Sequence, residues 1–196
     1  ITNRVAFMVA STNLAGFRVY FLHERFSELS GEAAAAPAAT VMLFVGIAVL
    51  VAAVPSGWLA DRLGKRVLIA AASLIATGGI GLILLVPNMP MLYLGGSLIG
   101  LAIGLFYSAN WALGTELVPS SRAGHFLGLS NLAGAGSGAI GAYIGGPIAD
   151  AHGYVVLFTI YAVMLLLAMV ALLGVKESSP APVAVRVRPA AQPGKG

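Results

Sequence analysis

Long apolar segments alternate with short polar connections along most of the chain. A helix needs about 20 predominantly apolar residues to cross a bilayer, and six segments of the chain reach that length. Their predicted bounds are residues 5–26, 38–60, 67–86, 91–114, 125–149 and 154–175. The pattern therefore predicts an all-α membrane protein with six transmembrane helices.

The first apolar segment is the least regular, because Asn13, Arg18 and Glu24 interrupt it. After the sixth segment the sequence is rich in proline, alanine and valine and has no helical periodicity. We therefore predict a transmembrane domain over residues 1–177 and a disordered cytoplasmic tail over residues 178–196. The chain starts at an isoleucine without a signal-peptide layout, so we expect it to be a fragment of a longer protein.

The composition supports lipid as the surrounding solvent. Hydrophobic residues make up 59% of the 196 residues and charged residues only 9%, whereas soluble domains carry about 25% charged residues. The 25 glycines are typical of membrane helices, in which small residues let backbones approach closely. Since the chain has no cysteine, it contains no disulfide and no zinc–thiolate site.

The placement of basic residues predicts the orientation. With the N-terminus in the cytoplasm, nine of the eleven Lys and Arg residues fall on the cytoplasmic side, and only Arg18 and Arg25 lie toward the other side. Cytoplasmic loops carry an excess of Lys and Arg. We therefore predict a multi-pass protein of the cell membrane with both ends of the chain cytoplasmic. The net charge of +4 then reflects topology, and we expect no nucleic-acid partner.

An internal repeat relates the two halves of the chain. Residues 57–69 align with residues 146–158 at an offset of 89, and six of the thirteen positions match. Three predicted helices separate the two copies, so the copies would lie on opposite faces of the membrane. This pattern predicts two three-helix repeats of inverted topology, a known construction of transporters. The alternative is that any tight turn between helices uses Gly and Asp.

The first copy carries a motif. The stretch from Gly57 to Arg66 reads Gly-x-Leu-Ala-Asp-Arg-x-Gly-Lys-Arg. It resembles the signature loop of the major facilitator superfamily, and it lies between the second and third predicted helices, as that loop does. The resemblance covers residues 1–177. It implies a six-helix half-bundle, which we interpret as the C-terminal half of a transporter whose N-terminal six-helix half is the missing partner.

The resemblance also implies a role for this loop. In the family the loop is a cytoplasmic latch that stabilises the outward-open state. A carboxylate at Asp61 can accept hydrogen bonds from the N-terminus of another helix, and Ser120 to Arg122 form a candidate N-terminus. The alternative is that the basic residues of the loop only determine topology. The predicted latch residues are Gly57, Asp61, Arg62, Gly64, Lys65 and Arg66.

Polar side chains concentrate in the first, fourth and fifth predicted helices. We expect the first and fourth to face a solute path, as the resemblance implies, and the third and sixth, which have few polar residues, to lie at the lipid-facing periphery. Arg18 either binds an anionic or polar solute or extends outward toward Glu24 or Glu28. Trp111 is equally typical of an aromatic belt at the membrane interface. The predicted path residues are Asn13, Arg18, Tyr107, Asn110, Trp111 and Asn131.

No motif of catalysis or cofactor binding is visible in the sequence. It has no Walker loop, dinucleotide fingerprint or metal-ligand cluster, so we expect neither an enzyme nor a cofactor or metal. We predict transport of a small solute, with or without coupling to a proton or ion, by alternating access as part of a secondary transporter. Two alternatives remain at this point: a membrane sensor or scaffold on the same fold, and a half-length carrier that acts as a homodimer.

Overall fold

A computed structural model of the chain describes residues 2–26, 33, 35–85, 88–117 and 123–173. These residues form six α-helices and no strand, which confirms the all-α prediction. The helices are α1 (Thr2–Arg25), α2 (Ala35–Leu63), α3 (Lys65–Leu85), α4 (Met89–Leu117), α5 (Ala123–His152) and α6 (Tyr154–Leu173). The predicted tail and the loop segment Ser120–Arg122 lie outside the described residues.

The helices are longer than most of the apolar segments that predicted them. For example, α2 begins three residues before the predicted segment 38–60 and ends three residues after it. Likewise, α5 covers Ala123–His152 where the apolar segment covers 125–149. Helical backbone hydrogen bonding continues past the end of the continuous apolar segment, so hydrophobicity indicates the part of a helix that suits lipid rather than its ends.

The predicted six-residue connection 61–66 was wrong, because Gly64 alone separates α2 from α3. Gly153 alone separates α5 from α6 in the same way. The φ angle is 87° at Gly64 and 83° at Gly153, in the left-handed region that only glycine adopts at no steric cost. Both turns reverse the chain with a single residue, so Asp61 belongs to α2 and does not cap α3.

The two one-glycine turns share their hydrogen bonds. The Gly64 amide donates to the Ala60 carbonyl at 3.0 Å, and the Gly153 amide donates to the Ala149 carbonyl at 2.8 Å. On the other side of each turn, the carbonyls of Gly64 and Gly153 accept from the next helix at 3.1 and 3.3 Å. The residue types at positions 60, 64 and 68 are the same at positions 149, 153 and 157, which lie 89 residues later in the chain.

Four of the described helical segments are long and apolar enough to cross a membrane. Within α6, the apolar segment Tyr154–Val170 is shorter than these four. The prediction of six helices is thus confirmed, and four of them have the length and composition of a membrane span. That α5 and α6 also span the membrane stays a prediction. The four segments are Arg4–Arg25, Ala35–Leu63, Lys65–Leu85 and Met89–Ala112.

Glycines bring α4 into backbone contact with its neighbours α2 and α3. A Cβ atom added to Gly104 would lie 2.6 Å from the Val49 carbonyl oxygen of α2, and one added to Gly100 would overlap the Val45 backbone. Gly79 of α3 and Gly95 of α4 face each other, each with the other's carbonyl oxygen 2.7 Å from the position of its missing Cβ. Such small residues are the usual means of close packing between membrane helices.

The remaining packing centres on α1, which lies against α5 and α6, while α3 also packs against α6. Aromatic pairs hold α1 in place. Phe7 stacks on Phe106 of α4 with ring centroids 3.7 Å apart, and Phe21 stacks on Phe158 of α6 at 4.6 Å. Because these four rings are buried, they fix α1 against both α4 and α6.

Candidate functional site

Arg18 lies in the second half of α1 with its guanidinium turned into the bundle. One terminal nitrogen, Nη1, donates a hydrogen bond to the Ala15 carbonyl of the preceding turn. The Nε atom is buried and has no hydrogen-bond partner among the described residues. Arg18 therefore does not direct its side chain toward Glu24, which accepts a hydrogen bond from a different helix; Glu28 lies outside the described residues.

A cavity of about 60 Å³ adjoins the Arg18 side chain. Its walls come from α1, α2, α3, α4 and α6 and are almost entirely apolar. Within the described part of the chain, Arg18 and Ser11 are the polar side chains of its lining, and the Ser11 hydroxyl already donates to the Met8 carbonyl at 3.4 Å. The cavity thus combines one cation with hydrocarbon walls.

Asn13 is buried between α1 and α5. It is only 4% exposed, and its Nδ2 atom donates to the Val9 carbonyl at 2.8 Å and to the Ser137 carbonyl of α5 at 3.3 Å. The amide packs directly on Gly141, where no side chain larger than hydrogen fits. In this conformation the Asn13 amide links α1 to α5, and it is not part of the lining of the Arg18 cavity.

A second polar cluster lies at the N-terminal end of α1. The Arg4 Nη1 atom donates to the Ser130 hydroxyl of α5 at 3.1 Å, and the guanidinium carbon lies 5.7 Å from the centroid of the Trp111 ring of α4. We name Arg4, Trp111 and Ser130 the Arg4 cluster. It joins α1, α4 and α5 through a cation–π contact and a charge-assisted hydrogen bond.

The predicted path residues therefore do not form one group. Trp111 belongs to the Arg4 cluster, and Asn131 is an exposed neighbour of Ser130. Tyr107 and Asn110 are partly buried on the same part of α4. Arg18 is fourteen residues along α1 from Arg4, or about 20 Å at the rise of an α-helix. Sequence reasoning had assigned Arg4 to topology alone, since nothing in the sequence marks its contact with Trp111.

The C-terminal end of α1 holds a contact that sequence reasoning missed. The Glu24 Oε2 atom accepts a hydrogen bond of 2.7 Å from the Tyr154 backbone N–H, the first residue of α6. The other carboxylate oxygen of Glu24 lies against Gly153, only 2.8 Å from the position of a Cβ atom added there. The Tyr154 ring stacks on Tyr20, with centroids 5.8 Å apart. A carboxylate here stabilises the partial positive charge of the α6 N-terminus.

Arg25 complements Glu24 at the same end of α1. Its Nη2 atom donates to the Leu84 carbonyl, one residue before the end of α3, at 3.5 Å. The C-terminal end of a helix carries partial negative charge, which favours a cation. Two consecutive residues of opposite charge thus contact opposite helix ends of the packed pair α3 and α6. We name Glu24 and Arg25 the α1 clamp.

The predicted latch residues lie around the turn between α2 and α3. Asp61 and Arg62 are exposed in the last turn of α2, and the Arg62 guanidinium carbon lies 4.1 Å from the centroid of the Trp58 ring. Lys65 and Arg66 are partly buried in the first turn of α3. The predicted partner of Asp61, from Ser120 to Arg122, is outside the described residues, so the latch remains a prediction.

The described residues contain no group of three His, Cys, Asp or Glu side chains placed to hold a metal ion. The polar chemistry described above consists instead of a cation in an apolar cavity and of charged side chains at helix ends. These arrangements can bind and release a solute or a helix end, and they hold no paired acid and base.

Two comparisons with known proteins find sequences that are similar to this chain. The family model of the Major Facilitator Superfamily matches residues 5–194, almost the whole chain. The Minor myo-inositol transporter IolF of Bacillus subtilis (strain 168) is 32% identical over 87 residues, which are 44% of this chain and 20% of that protein. The match thus spans a fifth of the relative's length. With the signature loop at the turn between α2 and α3, the family match establishes that the chain belongs to the Major Facilitator Superfamily.

Proposed function

We propose that the chain is one six-helix half of a secondary transporter that moves a small solute across the cell membrane by alternating access. The observation that carries the proposal is the pair of one-glycine turns at Gly64 and Gly153, which agree in φ angle and hydrogen bonding at a separation of 89 residues. A transporter of this kind needs two equivalent units that can exchange roles across the membrane.

The packing of the helices supports two inverted repeats. If α1, α2 and α3 are equivalent to α4, α5 and α6, the contact of α2 with α4 corresponds to that of α5 with α1. The contact of α3 with α4 corresponds to that of α6 with α1, and the contact of α3 with α6 corresponds to itself. All of these pairs are in contact. The first triplet is packed more closely on α4 than the second is on α1, since glycines line that interface.

The two turns would then lie on opposite faces of the membrane. The basic side chains Arg62, Lys65 and Arg66 mark the cytoplasmic turn under the positive-inside rule. The equivalent positions of the other turn are Ala151, Tyr154 and Val155. The Gly64 turn would carry the cytoplasmic latch of Asp61, and the Gly153 turn would be held by Glu24 of the α1 clamp.

The solute path would run between the two polar zones of α1. Arg18 and its cavity form the outer zone, and the Arg4 cluster forms the cytoplasmic zone. Helices α2 to α6 carry acidic residues only near their ends, at Asp61, Glu116 and Asp150. A carboxylate that couples transport to a proton would therefore belong to the second six-helix half, which we propose as the partner of this chain.

Transport of a defined solute by the full-length protein tests this proposal. The protein would be reconstituted in liposomes, and uptake would be measured for polyols, including the myo-inositol named for the relative, and for organic anions and cations. We expect one class to accumulate, and Asp61→Asn to change its rate because the latch is weakened. Asp150→Asn, at the equivalent position of the other turn, is the matched control and should have the smaller effect.

Two other results would redirect the proposal. Absence of uptake for every class, together with ligand-dependent binding of a soluble partner, would favour a sensor or scaffold on the same fold. Uptake by this chain alone, with cross-linking between two copies of it, would favour a half-length carrier that acts as a homodimer.

A further inference from the structure

We propose that the cavity beside Arg18 binds the carboxylate of an amphipathic organic anion, with the guanidinium as its counter-ion and the apolar walls around its hydrocarbon part. The inference deepens the proposed function, since it names the class of solute, and it depends on that function only for the step of transport. Binding at the cavity stands on its own observations.

The first observation is the depth of the charge. Arg18 lies seven residues before Arg25, the last residue of α1, and so about 10 Å from that end of the helix. Both residues belong to a segment that is long and apolar enough to span a membrane. A cation at this depth is costly unless it is paired or hydrated, and such residues usually mark a pathway or a ligand site.

The second observation is the geometry of the donors. The guanidinium uses Nη1 for the Ala15 carbonyl, while Nε is buried without a partner in the described part of the chain. The Nε–H bond lies on the edge of the guanidinium that it shares with Nη2, opposite to the edge of Nη1. Two parallel N–H bonds on one edge would match the two oxygens of a carboxylate once the Arg18 side chain turns that edge to the cavity. A neutral hydroxyl can also accept hydrogen bonds from these donors, but it would leave the charge unpaired.

The third observation is the nature of the walls. Leu14 and Phe21 of α1, Met42 and Val45 of α2, and Ile103 of α4 line the cavity. These side chains offer no hydrogen bond, so a polyol there would lose the partners that its hydroxyls have in water. The volume of about 60 Å³ is several times the roughly 10–15 Å³ that one water requires. Room therefore exists for a carboxylate and the first part of an alkyl chain.

Among the described residues, the charged groups nearest to Arg18 along the chain have other partners. Glu24 is six residues further along α1, and its carboxylate contacts the backbone of α6 at Tyr154 and Gly153. Arg25 carries the same sign of charge as Arg18 and contacts α3. Among the cavity-lining residues of the described chain, none is acidic. Within the described residues Arg18 therefore has no acidic partner, and an anion in the cavity can serve as its counter-ion.

Hexanoate is a suitable probe, with its neutral amide hexanamide as the matched ligand. The full-length protein would be placed in nanodiscs of zwitterionic lipid, and binding of both compounds would be measured by titration calorimetry. We expect hexanoate to bind about tenfold or more tightly than hexanamide, because hydrogen bonds to a charged group are the stronger ones. Arg18→Met, which keeps an unbranched apolar stem but removes the guanidinium, should abolish this preference. Arg18→Lys should retain a reduced preference, since it keeps the charge and loses the two-pronged geometry.

Arg25→Gln serves as the control, because it removes a cation outside the cavity and should leave the preference unchanged. Equal binding of hexanoate and hexanamide, or an unchanged preference in Arg18→Met, would overturn the proposal. Loss of hexanoate binding in nanodiscs of anionic lipid would also overturn it and would assign the site to a lipid headgroup. Circular dichroism would verify that each variant is folded.

The outcomes for binding and for transport can be told apart. If hexanoate binds through Arg18 but does not enter liposomes, the proposed transport of this solute class is rejected and the proposed binding site is retained. If the protein takes up a neutral solute but does not bind hexanoate, the binding site is rejected and the transport function is retained.

Discussion

The carboxylate of Glu24 and the backbone N–H of Tyr154 form a hydrogen bond of 2.7 Å between residues 130 positions apart. The bond joins the C-terminal end of α1 to the first turn of α6, where the first backbone N–H groups of a helix lack partners within the helix. Since α6 follows its turn after a single glycine, the position of Tyr154 is closely defined. The contact therefore holds the turn at Gly153 against α1.

Removing this contact should loosen the α5–α6 turn. In Glu24→Gln the side chain keeps its shape but loses the charge that favours the helix N-terminus, so we expect a loss of about 0.5–1 kcal/mol in stability. Thermal unfolding of the purified protein, followed by circular dichroism, measures the change. His23→Gln alters an exposed neighbour and should leave the unfolding temperature unchanged. An equal shift in both variants would show that Glu24 has no special role.

The two turn glycines should respond differently to alanine. Both have positive φ, so Gly64→Ala and Gly153→Ala each carry a backbone cost of about 1–2 kcal/mol. A Cβ at Gly64 would meet no atom within 4 Å, whereas one at Gly153 would lie 2.8 Å from Glu24 Oε1. We therefore expect Gly153→Ala to be the more damaging by unfolding temperature. In a Glu24→Gln background the two alanine variants should still differ in unfolding temperature, because glutamine is as large as glutamate. In a Glu24→Ala background, which removes the contacting atoms, the difference should be smaller.

The close approach of α4 to α2 gives a third prediction. A methyl group at Gly100 would collide with the backbone of Val45, which cannot move as a flexible side chain can. Gly100→Ala should therefore separate the helices and destabilise the protein by about 1–3 kcal/mol. Gly46 of α2 has no atom within 4 Å of its missing Cβ, so Gly46→Ala is the matched control. It should be neutral or stabilising, because alanine favours a helix over glycine.

The Arg4 cluster predicts energetic coupling between α1 and α4. We expect Arg4→Gln and Trp111→Leu each to destabilise the protein, and the double variant to lose less than the sum of the two. The difference should be about 0.5–1 kcal/mol, the usual strength of a cation–π contact at a partly exposed site. Simple addition of the two effects would indicate that the observed geometry contributes no stability. Arg4→Gln with Ser130→Ala tests the hydrogen bond in the same way.

The helices could be predicted from the sequence because the same physical requirement applies to every long apolar segment in a membrane. In lipid a backbone must satisfy its own hydrogen bonds, so a long apolar segment becomes a helix. The relation between Gly64 and Gly153 was also visible, since the repeat of residue types reflects the repeat of backbone conformation. The length of the connection near Asp61 could not be predicted, because its charged residues belong to the ends of α2 and α3 and only Gly64 lies between the two helices.

The arrangement of the polar residues could not be read from the sequence. Which side chains meet depends on the rotation of each helix about its axis. In a soluble protein the apolar stripe reports that rotation, but here both the buried and the lipid-facing sides of a helix are apolar. Asn13 and Arg18 therefore appeared as one path although they differ in partners. Glu24 and Arg25 resembled surface charges because their partners are backbone groups, which carry no sequence signal.

The central claim, that the protein alternates between two states with Asp61 as a latch, has a direct test. The chain contains no cysteine, so single cysteines can be placed at Val19, in the half of α1 that we propose lies toward the outside, and at Asn131, toward the end of α5 that we propose is cytoplasmic. Their reaction with a membrane-impermeant thiol reagent is measured from the corresponding side in proteoliposomes. We predict that Asp61→Asn lowers the reactivity at position 19 and raises it at position 131, since it releases the outward-open state. Reactivities that change in the same direction, or not at all, would contradict the account.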